Sequence, residues 1–567
     1  MRKRWKFIEH DKDRAGRLAE SIGTTPLIAA ILISRGYDDD KSASTFLNPV
    51  YEDLHDPLLL KGMDSAVERV LKAVDSDEKI LIWGDYDVDG TTGTVVLRKA
   101  LEILGGKTGY HVPHRFREGY GVNQPEIEKA RDDGYGLAIS VDCGITSFEA
   151  VDWATENGMD FIVTDHHLAK DKGVPNAYAV VNPNQPGCEY PDKHLAGVGV
   201  AFKLAHALLR ERGKENLVPY FLKVVAIGTI ADVMKLTGEN RSIVSIGLRD
   251  LPKTVNPGLK ALMEVSECRS EMTSYHIGFR IAPRINAAGR MDAAKHVVEL
   301  LEADEFSKAR ELAEYLNKRN LERQKVQAEI TERAIAESEA IGDQRFVVIS
   351  GEGWHRGVIG LAASRIAEKL HRPAVVLSVE DGMAYGSARS VGEFHLLKAL
   401  DSCADLFEQF GGHAVAAGMT LKASNIDALR EGLNEYAEQN LSDEELVPEI
   451  TIDAPVQASS LSLELIEDMK SLEPFGQGNP KPLFATGRLK LLAEPWIMKE
   501  KHLKLQLEGP DRNRLEAVWW DGVEKSEGLD LTVGNSYEVA HKLEANTWQG
   551  NTRLQMVISD IRPDGDK

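Results

Sequence analysis

The sequence predicts an α/β protein with a parallel-sheet domain, a second and smaller αβ domain, and a small β-barrel at the C-terminal end. Between residues 79 and 183, apolar runs such as ILIWG, LAISV and DFIVT alternate with helical segments, which is typical of a doubly wound parallel sheet. From residue 345, RFVVIS and PAVVLSV flank a helical segment and indicate a second αβ unit. After about residue 446, short alternating runs predict a small antiparallel barrel, for which an OB-fold is one of several fitting forms.

These patterns divide the 567 residues into five predicted segments. The first 75 residues are expected to be a largely helical lead-in. The segment 303–342 has a long, charged helical pattern, interrupted at NKRNLERQ, and is expected to connect the two αβ domains. The predicted segments are 1–75 for the lead-in, 76–302 for the first αβ domain, 303–342 for the connecting helix, 343–445 for the second αβ domain and 446–567 for the barrel.

Composition limits the cellular setting and the partners. No apolar run approaches the ~20 residues of a membrane span, and the basic start is not followed by the apolar core of a secretory signal. Four cysteines (Cys143, Cys188, Cys268 and Cys403) lie far apart, which is typical of free thiols in a reducing compartment such as the cytoplasm. The net charge of −21 argues against a nucleic-acid partner, although a local basic stripe is sufficient for such binding.

The stretch ILIWGDYDVDGTTGT carries the strongest chemical signal. Its apolar run predicts a strand buried on both faces, and Asp85, Asp87 and Asp89 follow the strand directly. Ligands bind at this end of strands in open α/β sheets. Crowded carboxylates repel one another unless a cation neutralises them, and oxygen ligands suit Mg²⁺ or Mn²⁺. The alternative is a solvated acidic turn.

Two later strands end in the same way. LAISV is followed by Asp142, and FIVT by Asp165, His166 and His167. Because parallel strands share one carboxyl edge, these side chains are expected to meet the first aspartates. Asp232 ends the apolar helical run VVAIGTIA, where the helix dipole disfavours an anion unless a cation lies nearby.

Further along, three segments have polar residues among small ones. GFRIAPRINAAGRMD clusters three arginines around Asn286. GVIG is predicted to open a helix whose free N–H groups face an anion. In FGGHAVAAG, Gly411 and Gly412 allow close approach of the backbone to a ligand, and His413 supplies a donor.

Together these motifs resemble a known family. GDYDVDGTTG, VDCG, VTDHH and GTIADV are similar to motifs I to IV of the DHH phosphoesterase superfamily, and FGGHAVAAG is similar to the signature of its associated DHHA1 domain. HRFREGYG, LAGVGVAFKL, PRINAAGRMD, WHRGVIGLAASRI, GSARS and EPFGQGNPKPLF resemble the bacterial RecJ exonucleases within that superfamily. The resemblance covers the chain from about residue 20 to its C-terminal end.

The resemblance implies a fold, a metal centre and its ligands. It implies a DHH domain, a DHHA1 domain and an OB-fold that binds single strands. It assigns two divalent ions, Mn²⁺ or Mg²⁺, with Asp142 bridging them, Asp165 orienting His166, and His167 facing the scissile phosphate. The implied metal ligands are Asp85, Asp87, Asp89, Asp142, His166 and Asp232, and the implied catalytic residues are Asp142, Asp165, His166 and His167.

The resemblance also implies the reaction. It is 5′→3′ hydrolysis of single-stranded DNA to 5′-mononucleotides, in DNA repair and recombination, without a covalent intermediate. A passage between the two αβ domains that admits only a single strand is a hypothesis about shape. The implied substrate-binding residues are Arg115, Arg284, Asn286, Arg290, Asn320, Arg323 and Gln324, and in the second domain His355, Arg356, Ser387, Arg389, Ser390, Gly411, Gly412 and His413.

Two alternatives remain open from the residues. The first is a DHH phosphodiesterase or phosphatase acting on short oligonucleotides or other small phosphate substrates, although the barrel and the arginine-rich middle favour a polymer. The second is a non-catalytic DNA-binding scaffold, against which the complete set of four motifs argues. A single-strand-binding protein and a repair helicase are candidate partners, no membrane association is expected, and a monomer is expected because no oligomerising heptad pattern is present.

Overall fold

A computed structural model describes residues 3–114, 118–119, 121–170, 172–268, 271–290, 294–342 and 344–565. The chain divides into two units. The N-terminal unit comprises Glu9–Asn320 and Ser462–Pro482, and the C-terminal unit comprises Met1–Ile8, Leu321–Leu461 and Leu483–Lys567. The five predicted segment boundaries stay predictions. Residues 462–482, which the sequence pattern placed with the barrel, belong to the N-terminal unit.

Up to the end of the long helix, the chain is mainly helical around one group of strands. Its elements are β1 (Arg4–Phe7), α1 (Lys12–Ile22), α2 (Pro26–Ser34), α3 (Asp40–Leu47), α4 (Met63–Asp75), β2 (Lys79–Gly84), α5 (Val88–Ile103), β3 (Lys107–His111), α6 (Gln124–Asp132), β4 (Tyr135–Val141), α7 (Phe148–Glu156), β5 (Asp160–Thr164), β6 (Ala179–Val181), α8 (Gly197–Glu211), α9 (Leu222–Ala231), α10 (Gly238–Asp250), α11 (Pro257–Val265), α12 (Ser274–His276), α13 (Ala282–Arg290), α14 (Lys295–Leu301) and α15 (Phe306–Ile341).

The predicted parallel sheet is confirmed. Its strand order is β3-β2-β4-β5-β6, and every pair is parallel. Both faces are covered, because Ile80 and Ile82 of β2 pack in the core with α4, α5 and α8, whereas Leu81 and Trp83 pack with α6 and α7. Burial on both sides explains why this strand has no polar alternation.

The remaining elements belong to a second αβ sheet and a barrel. They are β7 (Val347–Glu352), α16 (Arg356–Leu370), β8 (Ala374–Glu380), β9 (Met383–Arg389), α17 (Leu396–Asp401), β10 (Phe407–Gly412), β11 (Ala416–Lys422), α18 (Ile426–Asn440), β12 (Glu449–Ile452), β13 (Ala454–Pro455), α19 (Leu463–Lys470), β14 (Phe484–Leu491), β15 (Trp496–Met498), β16 (His502–Glu508), β17 (Arg514–Trp519), α20 (Gly522–Lys525), β18 (Ser536–Trp548) and β19 (Asn551–Pro563).

The second sheet has the order β10-β11-β9-β8-β7, with β7 and β8 parallel and the other pairs antiparallel. The barrel is closed because β14 pairs with both β18 and β16, and β16, β17 and β19 complete the ring. This ring is a five-stranded OB arrangement, one of the forms that fitted the alternating runs. It is not wholly antiparallel as predicted, because β17 and β19 pair in parallel.

Two local expectations are wrong. The helix α15 is continuous over 36 residues, so NKRNLERQ does not interrupt it. The stretch contains no Gly or Pro, and its charged residues have good helix propensity.

The lead-in is not helical at its start, because β1 pairs in parallel with β12 (Arg4 opposite Glu449). A four-residue strand whose partner lies 445 residues away in the sequence gives no local signal.

Among the described residues, no single helix is both long enough and apolar enough to span a membrane. The pair α1 and α2 meets the length and composition limits only when taken together, and the two helices are bent by 109° at their junction.

The barrel contains a titratable group that is expected to make its stability depend on pH. Burial lowers the pKa of His541 from 6.5 to about 3, and its Nε2 lies 2.9 Å from Thr486 Oγ1. The unfolded chain therefore takes up a proton between pH 6.5 and 3 that the folded barrel excludes. Barrel stability should be full above pH 6.5 and fall below it, by up to about 1.4 kcal/mol per pH unit.

The measurement is proteolysis of the intact chain in urea at pH 7.5 and 5.0, with the cleavage sites in the barrel mapped. His541→Gln keeps an N–H donor for Thr486 and does not titrate, so it should flatten the pH dependence. If the barrel lost the same stability between pH 7.5 and 5.0 in the unmutated protein and in His541→Gln, His541 would not be the group responsible for the pH dependence.

Candidate metal centre and phosphate-binding residues

The three strand ends meet at one edge of the parallel sheet. Each aspartate that directly follows a strand extends the hydrogen-bond ladder by one residue: Asp85 N donates to Val141 O at 3.3 Å, and Asp142 N to Thr164 O at 3.0 Å. Asp165 N donates to Val181 O at 3.1 Å. Because these three backbones are in register, their side chains leave the sheet at the same edge.

The stretch after β2 turns at once into α5. Asp87 caps this helix by accepting a hydrogen bond from Gly90 N at 3.0 Å, and Asp89 lies in the first turn. Gly90 packs on the backbone of Asp85, where an added Cβ would lie 2.5 Å from Asp85 N. The glycine of this motif is therefore required for the tight turn that gathers the three carboxylates.

All six predicted metal ligands lie together. One group of potential ligand atoms comes from Asp85, Asp87 and Asp142, and a second comes from Asp89, His166 and Asp232; within each group the atoms lie within 4.8 Å of one another. His166 Nε2 lies 3.2 Å from Asp142 Oδ1, 3.6 Å from Asp232 Oδ2 and 3.8 Å from Asp89 Oδ2. Asp142 thus adjoins both groups, as a bridging ligand requires.

Burial makes this arrangement costly without a cation. Burial and the neighbouring carboxylates, Asp89 first, raise the pKa of Asp142 well above its usual range. Burial and then Asp87 raise the pKa of Asp89 to about 7, and burial and then Asp89 raise that of Asp232 to about 9. Carboxylates held so close are stabilised in their charged form by bound cations.

His166 has the protonation state of a metal ligand. Burial and then His167 lower its pKa to about 4, so the imidazole is neutral at pH 7. The buried Nε2 makes no hydrogen bond within the described parts of the chain. A neutral imidazole among carboxylate oxygens fits a divalent cation such as Mn²⁺ or Mg²⁺.

The partner of Asp165 differs from the expectation. Its Oδ1 lies 2.8 Å from His167 Nδ1 and also accepts hydrogen bonds from the N–H groups of His166 and His167, whereas Oδ2 accepts from Ile145 N. Asp165 therefore orients the ring of His167 and not that of His166. The turn after β5 directs the His166 ring towards the carboxylates, which leaves His167 beside Asp165.

The pair has opposite pKa shifts. Burial alone would lower the pKa of His167, but the hydrogen bond and charge of Asp165 outweigh it and raise the pKa to about 9. Burial alone would raise the pKa of Asp165, but its hydrogen bonds with His167 and Ile145 keep it lowered. At neutral pH the pair is imidazolium and carboxylate.

The start of α8 supports the centre and escaped prediction. Gly197 N and Val198 N donate to the two oxygens of Asp89 at 2.6 and 2.7 Å, so the positive end of the helix faces this carboxylate. A Cβ on Gly197 would lie 2.5 Å from the Cβ of Asp142. The motif LAGVG was visible in the sequence, but its contacts were not.

Two asparagines in VVNPNQPG hold the histidine pair and were also missed. Asn182 Nδ2 donates to His167 O at 2.9 Å, and Asn184 Nδ2 donates to His166 O at 2.6 Å. They fix the backbone of both histidines. Asparagines beside prolines usually indicate only a turn, so this segment carries no specific signal.

The arginine-rich helix α13 lies beside the first aspartates. An added Cβ on Gly289 would lie 2.4 Å from Tyr86 O, which places the helix against the turn between Asp85 and Asp87. Arg284 Nε donates to Asn317 Oδ1 at 2.9 Å, so this guanidinium is held by a neutral amide. Asn286 and Arg290, one helical turn apart, are half-buried.

The other predicted DNA contacts in this part of the chain, on α15, differ in how far their side chains are exposed. Asn320 is buried and Gln324 is exposed, whereas Arg323 is half-buried and burial lowers its pKa. Arg115 lies outside the described residues.

A cradle of polar groups lies on the second sheet. Arg389 on β9 donates to Ser387 Oγ at 3.0 Å and to Ser364 Oγ on α16 at 3.1 Å. Gly360 leaves room above them, since an added Cβ would lie 2.9 Å from Ser387 Oγ. Ser364 was missed because an isolated helical serine has no signature.

Other predicted residues of this sheet lie at its edges. His355 caps α16, accepting from Gly357 N, and Arg356 donates to Glu380 while its guanidinium lies 3.1 Å from the ring centre of Tyr385. Ser390 Oγ donates to Phe394 O at 2.5 Å, so this hydroxyl is committed to its own loop.

The hairpin of β10 and β11 is open, as its glycines suggested. Gly411, Gly412 and His413 are exposed, and Gly411 pairs with Gly418, which in turn pairs with Ser387. Gly412 has φ 149°, and a Cβ there would lie 2.4 Å from Ala416 O. The flat glycine surface beside Ser387 allows a ligand to approach the backbone.

Three family models match the chain. They are the DHH family N-terminal domain at residues 79–229, the DHHA1 domain at 343–439 and the RecJ OB domain at 452–560. The single-stranded-DNA-specific exonuclease RecJ of Bacillus subtilis is 39% identical over 562 residues, which cover 98% of this chain and 70% of that protein. The chain belongs to the RecJ family.

Solved RecJ structures agree with this assignment. RecJ of Thermus thermophilus in complex with Mn²⁺ superposes with a TM-score of 0.85 at 28% identity, covering 99% of this chain and 80% of that one. The complex of the same protein with Mg²⁺ superposes with a TM-score of 0.80 at 27% identity, and the match covers 99% of this chain and 79% of that one. The acidic groups at the sheet edge have the donor set that either ion prefers.

Metal binding should reverse the effect of the buried carboxylates on stability. Asp142→Asn removes one of the repelling charges and keeps a residue that tolerates φ 62° at this position. In EDTA this variant should melt a few degrees above the unmutated protein, about 2–4 °C for roughly 1 kcal/mol. Mn²⁺ should raise the melting temperature of the unmutated protein and have little effect on the variant.

The control is Asp133→Asn, an exposed aspartate at the end of α6. Its melting temperature should rise with Mn²⁺ as in the unmutated protein. If Asp142→Asn gained as much from Mn²⁺, Asp142 would not be a ligand.

Proposed function

We propose that this chain is a metal-dependent exonuclease that hydrolyses single-stranded DNA in the 5′→3′ direction to 5′-mononucleotides, in DNA repair and recombination. The observation that supports the proposal is that all six predicted ligand side chains lie together at the edge of the parallel sheet, in a member of the RecJ family. The relatives named above are single-stranded-DNA-specific exonucleases. The direction of degradation comes from the resemblance to RecJ.

The proposed chemistry is direct attack of water on the phosphodiester. Two divalent ions, held by Asp85, Asp87, Asp89, Asp142, His166 and Asp232, would supply an activated water and neutralise the charge on the phosphate and the leaving 3′-oxygen. The protein itself supplies the geometry of these side chains. Cys143, in the VDCG motif, is buried and its pKa is raised by burial, so it is unsuited as a nucleophile.

His167 would act on the phosphate. It is the more exposed member of the histidine pair, carries a proton at neutral pH, and is held by Asp165. An imidazolium fixed in this way can donate a hydrogen bond to a phosphate oxygen and stabilise the charge that develops there. Asp165 remains anionic and positions the ring.

The second sheet would grip the strand's phosphates. Arg389 is held by two serine hydroxyls, which do not offset its charge, and Gly411 and Gly412 leave their backbone accessible. A planar guanidinium binds phosphate through two hydrogen bonds. Arg284, Asn286 and Arg290 would contact the strand from the N-terminal unit.

The barrel offers aromatic groups for bases. Trp496 on β15 is 69% exposed and lies opposite Lys504, and Trp548, at the tip of the hairpin formed by β18 and β19, is 74% exposed. OB-folds bind oligonucleotides with the loop between their first and second strands, the loop between their fourth and fifth strands, and the face of strands 2 and 3. Trp496 lies between β14 and β16, the first two strands of this barrel, and Trp548 lies at the turn between β18 and β19, the last two. Exposed tryptophans provide stacking surfaces that accept any base.

The setting and partners are part of the proposal. We place the enzyme in the cytoplasm, working as a monomer, with a single-strand-binding protein and a repair helicase as partners. Four free cysteines support a reducing compartment.

The first test uses a single-stranded 40-mer labelled at either end, with Mn²⁺, Mg²⁺ or EDTA. A 5′ label should be released at once as mononucleotide, only with metal, and Asp142→Asn should reduce the rate at least 100-fold because one bridging ligand is lost. Asp133→Asn should cleave normally.

Each other outcome identifies a different function. A ladder that starts from the 3′ end would reverse the direction while keeping the metal chemistry. Hydrolysis of 2–5-mers with an intact 40-mer would indicate a small-substrate phosphodiesterase. Binding without cleavage of either would indicate a scaffold.

The barrel contacts are tested separately. Trp496→Ala and Trp548→Ala should each weaken binding of a 40-mer about ten-fold, within the range expected for loss of one stacked base. Hydrolysis of a trinucleotide should be unchanged, because so short a strand needs only the metal centre.

The comparison variant is Tyr220→Ala, an exposed aromatic in the N-terminal unit. If Trp496→Ala and Trp548→Ala bound the 40-mer as tightly as Tyr220→Ala does, the tryptophans would not contact DNA.

A further inference from the structure

The motif EPFGQGNP has no role in the chemistry proposed above, yet it packs within the N-terminal unit. It follows α19 and lies within Ser462–Pro482, the part of the C-terminal sequence that belongs to this unit. Residues 475–479, here called the FGQGN turn, form a tight loop in which Gly476 N donates to Asn479 O and Asn479 N donates to Gly476 O, at 2.8 and 3.1 Å.

A buried arginine anchors the approach to the turn. Arg241 on α10 is 2% exposed and donates to the carbonyls of Ser471, Leu472 and Glu473 at 2.8–3.3 Å. Its Nε donates to Phe46 O at 2.6 Å, and its guanidinium lies 3.5 Å from the ring centre of Phe46. A buried arginine whose four hydrogen bonds all go to carbonyls serves to hold backbone.

Asn479 fixes the shape of the turn. It is fully buried, and its Nδ2 donates to Leu472 O at 2.8 Å and Pro474 O at 2.9 Å. Arg35 donates to its Oδ1 and also to Pro480 O at 2.8 Å. The turn is thus held on both sides by side chains of the N-terminal unit.

The turn contacts the segment that follows Asp232. Leu236 N donates to Gln477 O at 2.8 Å. A Cβ added to Gly476 would lie 2.7 Å from Leu236 Cδ1. A Cβ added to Gly478 would lie 3.3 Å from both Lys235 Cβ and Thr237 Cγ2. These glycines therefore let the turn lie directly on residues 235–237.

Asp232 is joined to residues 235–237 through a strained stretch of backbone. The helix α9 ends at Ala231, and Val233 has φ 58°, a left-handed conformation that a β-branched residue rarely adopts. Strained backbone of this kind persists only where surrounding contacts enforce it. Leu236, four residues after Asp232, is where the FGQGN turn supplies such a contact.

We propose that the FGQGN turn positions Asp232 for the metal site it shares with Asp89 and His166. The inference rests on the proposed metal centre and adds positioning residues to it, namely Gly476, Gly478 and Asn479. Loosening the turn would release Leu236, let Val233 relax, and move the Asp232 carboxylate away from His166 Nε2, which lies 3.6 Å from it. Metal affinity at this position should fall, as it does when groups behind a ligand are altered.

The test is Gly478→Ala against Gly528→Ala, in the intact chain. Both glycines have nearly the same left-handed φ, 75° and 78°, so both substitutions cost similar backbone strain. Only at Gly478 does the added methyl meet residues 235 and 237, because nothing lies within 4 Å of it at Gly528. Any difference between the two therefore reports the contact with the Asp232 segment.

The readout is Mn²⁺ binding without DNA, by titration calorimetry and by the electron paramagnetic resonance signal of free Mn²⁺. Gly478→Ala should bind one of two ions about ten-fold more weakly, and saturating Mn²⁺ should restore DNA cleavage to within about two-fold. Gly528→Ala should match the unmutated protein in both.

A second variant covers the case in which Gly478→Ala does not fold. Gly476→Ala meets only the flexible end of Leu236, so it should fold and should also weaken one Mn²⁺ site. Melting temperatures in EDTA identify folded variants. If folded Gly478→Ala or Gly476→Ala bound Mn²⁺ with the same affinities as Gly528→Ala, the positioning role would be overturned. An unmutated protein that binds no Mn²⁺ would instead overturn the metal centre itself.

Discussion

Repulsion among buried carboxylates is the constraint on which the rest of the structure depends. Asp85, Asp89 and Asp142 are almost completely buried at one sheet edge, and Asp87 and Asp232 lie beside them. Folding must hold them together before a cation arrives. The parallel sheet does so by placing the backbones of three strand ends in register, so that the energy comes from the hydrophobic core beneath and not from the site.

The surrounding elements each relieve part of that repulsion without neutralising it. The N-terminus of α8 faces Asp89 through two N–H groups, and Asp165 is matched by the imidazolium of His167. The same imidazolium also reaches Asp142, because His167 Nδ1 lies 3.9 Å from Asp142 Oδ1. Asp142 nevertheless adjoins both groups of predicted ligands, and the carboxylates of Asp89, Asp87, Asp85 and Asp232 all raise its pKa. A bridging cation is therefore favourable beside Asp142.

The parts predicted from the sequence are those fixed by short-range patterns. Continuous apolar runs showed that β2, β4 and β5 are buried parallel strands, and the direction of parallel strands then required their terminal aspartates to meet. The contacts of Gly197, Asn182 and Ser364 could not be predicted, because they depend on which backbone group a turn presents to the site. The partner of Asp165 was mistaken for the same reason, since two adjacent histidines differ only in the direction that the turn after β5 gives them.

The partners of the arginines resolve the conflict between an acidic chain and an anionic substrate. Arg69 is paired with Glu78 and Asp160, and Arg98 with Glu302, so their charges are already matched within the fold. Arg389 is instead held by the hydroxyls of Ser387 and Ser364, and Arg284 by the amide of Asn317. A guanidinium oriented by neutral groups keeps its charge for a phosphate, whereas one oriented by a carboxylate does not. The net charge of −21 averages over both kinds, so it says little about the residues that would meet DNA.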